Sequence, residues 1–362
     1  MENQKKLDNT LKKCENCGGN FVFSPISQSL KCENCGSDKA IEKVEGFEKH
    51  DYAENQSPDD ALKNDSWQTE NKIMKCATCG ATITLSKLEY AKNCPYCGSS
   101  YVSEVDELPS LKPDGVIPFA FDKTQASEKF KVGLKKKWFL PNKFKQKPPI
   151  DTINGIYVPT FGYDEDTISS YNGKLETRHT TRDSNGHTST YSTYQHISGN
   201  EKVNFRDYMI ETSTNLNQQQ FDEIKPYDVS ISYNFNQDFI RGYAVEHYDN
   251  ALANCKVIVD KKIDIDIERS ILSHYHYDLV NYLNVATTRS NEKFAYVIVP
   301  TYRVNYEYKK KKYATFMNGQ TGKVGGGLPK SAVKITFFVL FLILVATGIG
   351  FLFYYLNNLQ MQ

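Results

Sequence analysis

Eight of the nine cysteines fall in the first 97 residues, as four CxxC pairs: Cys14/Cys17, Cys32/Cys35, Cys76/Cys79 and Cys94/Cys97. Fourteen residues separate the second and third cysteines of each set, so CxxC-x14-CxxC occurs twice with an offset of 62. Two cysteines three apart can bite one side of a tetrahedral ion, and two such pairs complete a four-thiolate site. The N-terminal stretch MENQKKLDNTLKK lacks the apolar core of a secretory signal, which predicts a reducing compartment where disulfides do not persist. The thiolates are therefore read as ligands for two Zn²⁺ ions. Redox or free-thiol pairs are the alternative, but they do not come as two equally spaced quartets. Four cysteines close the coordination sphere, so both zinc sites are expected to be structural.

The elements that must hold these ligands repeat with them. Gly18/Gly80, Ser24/Ser86, Gly36/Gly98 and Ser37/Ser99 recur at the same offset, marking an internal duplication. A glycine after the second cysteine lets the backbone turn so that amides approach the sulfurs. Phe21 and Phe23, matched by Ile83 and Leu85, alternate with polar residues as a short strand does. Each copy reads as a zinc ribbon, residues 1–36 and 76–99. Lys13, Lys31 and Lys75 immediately precede ligands and Lys92 lies two before one, placed to offset thiolate charge.

At the other end, Ile335 to Leu356 runs for 22 residues without a charge, about 33 Å as a helix and enough for a bilayer core. A buried globular helix is the alternative. Tyr354 and Tyr355 suit an interfacial belt, and Lys330 and Lys334, with Lys323 and Lys309 to Lys312 farther back, load the preceding flank with positive charge. The expectation is a tail-anchored, single-pass cell-membrane protein whose N-terminal bulk stays in the cytoplasm. Ala346 and Gly350 form a small-xxx-small pair that could admit another helix.

The whole chain, 362 residues with 44 Lys+Arg against 43 Asp+Glu, has a net charge of +1 and a mean hydropathy of −0.55. With 24% charged and 13% aromatic residues it is neither wholly disordered nor collagen-like, and it has no global field to draw it to nucleic acid. Residues 37–75 read as an acidic, solvated linker in which Trp67 and Ile73 could dock on the second ribbon. Residues 110–330 turn to aromatic and β-branched runs. Three pieces, Ile117-Pro118-Phe119, Val158-Pro159-Thr160 and Val299-Pro300-Thr301, are expected to start strands or run along a sheet edge, because proline lacks a donor. Residues 168–197 predict a long hairpin turning at Asp183-Ser184-Asn185-Gly186, and Tyr296 to Phe316 a second hairpin turning at Lys309 to Lys312. One helix is predicted over Gln125 to Trp138, with Phe130, Leu134 and Trp138 on a face. Another is predicted over Asn250 to Leu272, with Leu252, Cys255, Val259, Ile263, Ile267 and Ile271 as its stripe, although residues 263–267 also fit a strand. Cys255 on that stripe is a core residue. The fold class is α+β: two N-terminal zinc ribbons, a mainly antiparallel β-rich domain with a few helices, and one C-terminal transmembrane helix at 335–356.

Other candidate chemistry is sparse. Residues 110–150 hold ten lysines against three acids, interleaved with Trp138, Phe139 and Phe144. A solvated helix face, an anionic membrane surface and nucleic acid are all open readings, the last weakened by the absence of arginine. Asn318-Gly319-Gln320-Thr321-Gly322-Lys323 fails the phosphate-loop pattern and reads as a turn. His274 and His276 share a face but lack a third ligand, and Asp264, Asp266 and Glu268 read as a solvated side. No catalytic or cofactor-binding set can be assembled, so the chain is not expected to be an enzyme or to take a small-molecule substrate.

Taken in order, the double CxxC ribbons, the IPFAFDK and VPTF segments, KKKWFLPNKF, MNGQTGK and the closing apolar helix resemble a bacterial family of membrane-anchored TFIIB-type double zinc-ribbon proteins. Members often carry a replication-restart helicase label, which the lack of a nucleotide-binding loop here argues against. The resemblance implies a non-enzymatic scaffold that presents cytoplasmic protein-interaction surfaces, working with SPFH-domain and PspA-type proteins in envelope stress. A membrane-tethered nucleic-acid-binding protein using the ribbons and residues 110–150 is the alternative.

Overall fold

The computed structural model describes residues 13–53, 71–86, 94–100, 102–104, 111–148, 150–184, 186–213, 215–248 and 251–359. In chain order its elements are β1 (Phe21–Ser24), β2 (Ser29–Cys32), β3 (Asp38–Lys39), β4 (His50–Asp51), β5 (Asn71–Cys76), β6 (Thr82–Ser86), β7 (Val102–Glu104), β8 (Gly115–Val116), α1 (Lys123–Lys135), α2 (Asn142–Gln146), β9 (Ile150–Arg182), β10 (Thr188–Glu211), α3 (Gln218–Ile224), β11 (Tyr233–Asn234), β12 (Ala244–Glu246), α4 (Leu252–Ser273), β13 (Leu279–Tyr308), β14 (Lys311–Asn318), β15 (Val324–Gly325) and α5 (Ala332–Leu359). This is the expected α+β class. β1, β2 and β3 make a small antiparallel sheet, while a large sheet runs β11-β8-β13-β9-β12-β6-β5-β7, with β10 beside β9 and β14 beside β13. Its pairing is mainly antiparallel, with β12 along β9 and β8 along β13 parallel.

The chain divides into two compact units. The first comprises Met1–Asp164, Arg206–Val257 and Lys293–Pro329. One cluster of its core joins Ile117, Ile156, Val158, Ala295, Val297 and Val299 from the β-rich region to Phe221 and Ile224 of α3 and to Met74, Ile83 and Tyr96 of the second cysteine-bearing copy. The runs 156–161 and 294–302 are buried without alternation, as strands covered on both faces must be. The second unit, Glu165–Phe205, Ile258–Glu292 and Lys330–Gln362, contains the outer part of the β9–β10 hairpin. Here alternation returns: Glu165, Thr167 and Ser169 are buried and Ile168 is exposed. The Thr167 hydroxyl donates to the Val203 carbonyl at 2.9 Å and Ser169 shares a hydrogen bond with Thr287, so this inward face is polar but paired.

Both hairpins form. Asp183 and His187 close the first, with Gly186 N donating to the Asp183 carbonyl at 3.0 Å; Asn185 lies outside the described residues. The second turns tightly on Lys309 and Lys310, both at positive φ (51° and 61°), between Tyr308 and its partner Lys311. The prolines depart from expectation. Pro159 and Pro300 lie inside β9 and β13 rather than at a strand start. Each sits where a neighbour stops: β12 pairs only to Tyr157, and Pro300 falls between the β8 pairing at Ile298 and the β14 pairing at Thr301. A missing donor is tolerated at such local edges. Pro118 follows β8 and belongs to no strand.

Helix α1 starts on a capping box between Asp122 and Gln125 and buries Ala126, Phe130 and Leu134. It ends at Lys135, so Trp138 is not on its buried face; the turn that follows sends Leu140 inward and Trp138 out. Helix α4 buries Leu252, Cys255, Val259, Ile263, Ile267 and Ile271 as one stripe, which removes the strand alternative. α5 contains Ala332–Tyr354, 23 residues of mean hydropathy 2.7 with none of it buried, long and apolar enough to cross a membrane.

Residues 38–53, acidic by composition, are held to the first unit by specific pairs. Lys49 Nζ lies 2.7 Å from carboxylate oxygens of both Asp164 and Asp207, and Ile41 is buried. His50 Nε2 lies 2.8 Å from Asp114 Oδ1, while Asp114 Oδ2 accepts from Tyr296 N. Trp67 lies outside the described residues; Ile73 is buried in β5 opposite Thr84. The hydrogen bond to Asp114 raises the His50 pKa above its ordinary 6.5, against the lowering effect of burial. A raised pKa means that the pair's stabilisation is complete below about pH 6.5 and fades as pH rises through the higher folded value. The urea midpoint should therefore fall between about pH 6 and pH 8, and His50→Gln should remove that step. An unchanged pH profile in the variant would contradict the assignment.

Candidate metal centre

All four CxxC pairs fold into the same turn. Gly18, Gly36, Gly80 and Gly98 donate their amides to the carbonyls of Cys14, Cys32, Cys76 and Cys94 at 2.7–2.9 Å, with φ of 70–77°. Only glycine takes that left-handed conformation without strain. The chain then doubles back, and Cys14 N donates to the Gly19 carbonyl as Cys76 N does to that of Ala81. Amides inside the turns point at sulfur: those of Asn34 and Cys35 at Cys32, of Thr78 and Cys79 at Cys76, and of Tyr96 and Cys97 at Cys94. Such donors favour the thiolate, although at Cys94 burial outweighs them and raises the thiol. The Ser37 hydroxyl and amide lower Cys35 to about 6; at Cys76 burial pushes the other way, but the turn amides bring it down to about 7.

The turns bring the predicted ligands together as two quartets. Cys14–Cys35 and Cys17–Cys32 sulfurs are 3.5 Å apart, and Cys76–Cys97 and Cys79–Cys94 are 3.6 and 3.7 Å apart. Within each group all four sulfurs lie within 4.8 Å of one another. Metal–sulfur bonds of about 2.3 Å in a tetrahedron give edges of about 3.8 Å, so both groups can hold a metal ion, and an all-thiolate tetrahedral set suits zinc. Each copy also has a strut between its two turns: Asn16 Nδ2 donates to Ser37 Oγ at 2.9 Å, and at the same offset Thr78 and Ser99 hydroxyls lie 2.8 Å apart.

The copies differ in what surrounds them. In the first, Glu33 and Asn34 occupy the middle of the second turn and are exposed. In the second, the corresponding residues are Pro95 and Tyr96, and Tyr96 is fully buried. Its hydroxyl donates to Glu246 Oε2 of β12, while Glu246 Oε1 accepts from Ser213 Oγ and, at 2.6 Å, from Asn215 Nδ2. The carbonyls of Pro95 and Tyr96 accept from Asn154 and Asn305 side chains, both at 2.8 Å. The Arg303 guanidinium lies over the Tyr96 ring, 4.7 Å from its centroid, and is attracted by Cys79 and Cys94. Burial lowers its pKa, a cost that the anionic neighbours offset. Sequence spacing pointed to Lys13, Lys31, Lys75 and Lys92 for this role. Lys13 instead bonds Asn20 Oδ1, Lys31 and Lys75 are exposed, and Lys92 lies outside the described residues. Arg303 is more than 200 residues from the ligands, which hides it; Tyr96, an aromatic where the other copy has Asn34, was the available clue.

The chain is 28% identical over 258 residues to the uncharacterized protein YdjG of Bacillus subtilis (strain 168), a match covering 67% of this chain and 74% of that one. No protein-family model matches the chain, and no solved structure matches it. The likeness to YdjG agrees with the motif resemblance without extending it to the TFIIB-type class.

The other candidates stay apart from these centres. His274 Nε2 lies 3.3 Å from Glu201, and among the described residues no metal-ligating group includes either His274 or His276. Asp264 pairs with Arg289 and Asp266 with Arg269. Asn318 Oδ1 accepts from the amides of Gln320 and Thr321, making residues 318–322 a turn. An open groove of about 850 Å³ lies between the two copies, lined by Phe23, Cys32, Cys94, Asn154, Arg241 and Tyr243 among others.

Two variants test the asymmetry. Cys14→Ser should lose only the first ion and leave the large sheet intact, whereas Cys76→Ser should also destabilise the first unit by about 4 kcal/mol, the scale of losing a structural metal. Metal content and urea unfolding read this, and equal midpoints for the two would refute it. Arg303→Met should lower metal affinity at the second centre roughly 10-fold and spare the first, as outer-layer changes do. Chelator competition at each centre would show it.

Proposed function

We propose that this chain is a non-enzymatic, membrane-anchored scaffold with two structural zinc ions. The observation that carries the reading is the closure of both cysteine quartets: four thiolates at tetrahedral spacing leave an ion no position for a substrate. Zinc binding then contributes folding free energy, and in the second copy it is spent on a site shared with the large sheet. In this reading the helix within α5 is the single-pass anchor, and Lys330 just before it and Lys334 in its first turn support, by the positive-inside rule, a cytoplasmic side for the preceding bulk.

The groove between the copies, with charges of both signs from Lys31, Glu33, Asp122 and Arg241, is of a kind that receives polypeptide, and it supports a protein-interaction role. By the motif resemblance, the partners are an SPFH-domain protein and a PspA-type protein, and the setting is envelope stress. Crosslinking in intact membranes, followed by pulldown, tests this against a chain truncated at Lys330. The full chain should sediment with membranes, contain two zinc ions per chain and capture protein partners that the truncated chain loses. Zinc well below stoichiometric after native purification, or a full chain recovered in the aqueous fraction, would overturn the reading.

A further inference from the structure

The turn joining α1 to α2 is anchored on both sides by buried side chains and yet displays its largest aromatic residues. Lys136 N, Lys137 N and Leu140 N donate back to the carbonyls of Gly133, Leu134 and Lys137 at 3.1–3.3 Å, so the turn is pinned by backbone hydrogen bonds on both sides of Trp138 and Phe139. Leu134 and Leu140 are buried, and Phe144 of α2 packs on Tyr306 and Tyr308 at ring distances of 5.0 and 5.3 Å. From this fixed base Trp138 and Phe139 project with 55% and 38% of their surface exposed, edge to face at 5.0 Å. The fold's own packing leaves them half in water.

Charge surrounds them. Residues 123–147 hold nine lysines and one glutamate, and Lys135, Lys136, Lys137, Lys143 and Lys147 are all exposed. The contact of Phe144 with Tyr308 brings the β13–β14 turn alongside, adding exposed Lys309 to Lys312. That turn places two lysines at positive φ, a conformation that asparagine and glycine adopt more readily, and so keeps charge there.

We propose that this surface is a second membrane contact: it docks on the anionic headgroups of a bilayer, with Trp138 and Phe139 seated at the interface. Tryptophan prefers that depth, lysines reach from it to headgroup phosphates, and a diffuse field of point charges suits a lipid surface. Nucleic acid would be met better by the forked, planar donors of arginine, of which residues 110–150 have none. The inference leans on the anchoring reading in one respect: a chain fixed in a bilayer has that surface at high effective concentration.

The sequence holds two tryptophans, so Trp67→Phe leaves Trp138 as the sole reporter in the full chain. That variant would be reconstituted in nanodiscs of phosphatidylcholine alone or with phosphatidylglycerol, then offered vesicles of the same lipids. The anionic lipid should shift Trp138 emission to the blue and allow quenching by brominated acyl chains. Roughly 1 M salt, with a Debye length of about 3 Å, should reverse both effects. Lys135, Lys136 and Lys137 all changed to glutamine should weaken vesicle binding roughly 100-fold; unchanged zinc content would show that the variant is folded. Emission indifferent to lipid charge in discs and vesicles would overturn the proposal, as would a response to single-stranded DNA and not to lipid. A chain that fails to enter discs would sink the anchoring reading, while the vesicles still decide this one.

Discussion

The buried contact between Tyr96 and Glu246 is the constraint on which the first unit turns. Tyr96 lies between two cysteine ligands, and Glu246 ends the strand that links β6 to β9. A buried carboxylate survives only if its oxygens are satisfied, and here Tyr96, Ser213 and Asn215 supply the donors. The donors come from two stretches of chain, the second cysteine turn and the segment that follows β10. The geometry of the second cysteine turn is thus transmitted to the edge of the β-rich core, and the core in turn holds the turn in a form that can accept an ion.

The duplication has therefore diverged in energetics while keeping its local chemistry. Both copies retain the glycine turns, the amide donors and the polar strut, because the four-thiolate geometry demands them. The first copy keeps its own small sheet and meets the rest of the unit through side chains and single bonds. Phe23 packs on Phe239 at 5.6 Å, Gln28 Nε2 donates to the Phe119 carbonyl at 2.8 Å, and Phe23 N donates to Arg241 O at 3.0 Å. In the second copy the strands themselves are sheet members, with β6 paired to β12 and Met74, Ile83 and Tyr96 in the common core. A metal ion in the first site would stabilise a small docked element, and one in the second would stabilise the body.

What could be read from residues alone follows the range of each interaction. CxxC spacing, the Asn250–Leu272 stripe and the apolar C-terminal run are local patterns, and each appears in the fold as expected apart from small shifts of boundary. The eight cysteines come together as two quartets because the turn geometry is encoded within five residues. Long-range pairing was out of reach: nothing near Arg303 marks it as a neighbour of Cys79 and Cys94, and nothing in acidic residues 38–53 shows that Lys49 will meet Asp164 and Asp207. Composition misled there because a few specific pairs outweigh a polar average. The prolines misled for a related reason, since a locally absent neighbour can only be seen once strand order is known.

Charge completes the picture. A net of +1 provides no long-range attraction toward an anionic surface, and beyond a Debye length of about 8 Å the lysines around Trp138 are screened. Electrostatic capture from bulk solution is therefore weak, and a lysine field of this kind acts only once something else has brought it near. A helix long and apolar enough to cross a membrane would do so without adding charge of its own: α5 is apolar from Ile335 to Leu356, and its one lysine, Lys334, sits at the start. The division of labour follows from physics. On the proposed reading, hydrophobic transfer supplies attachment, which salt does not reverse, and the lysine turn supplies a short-range, salt-sensitive contact that can engage and release while the chain stays where it is.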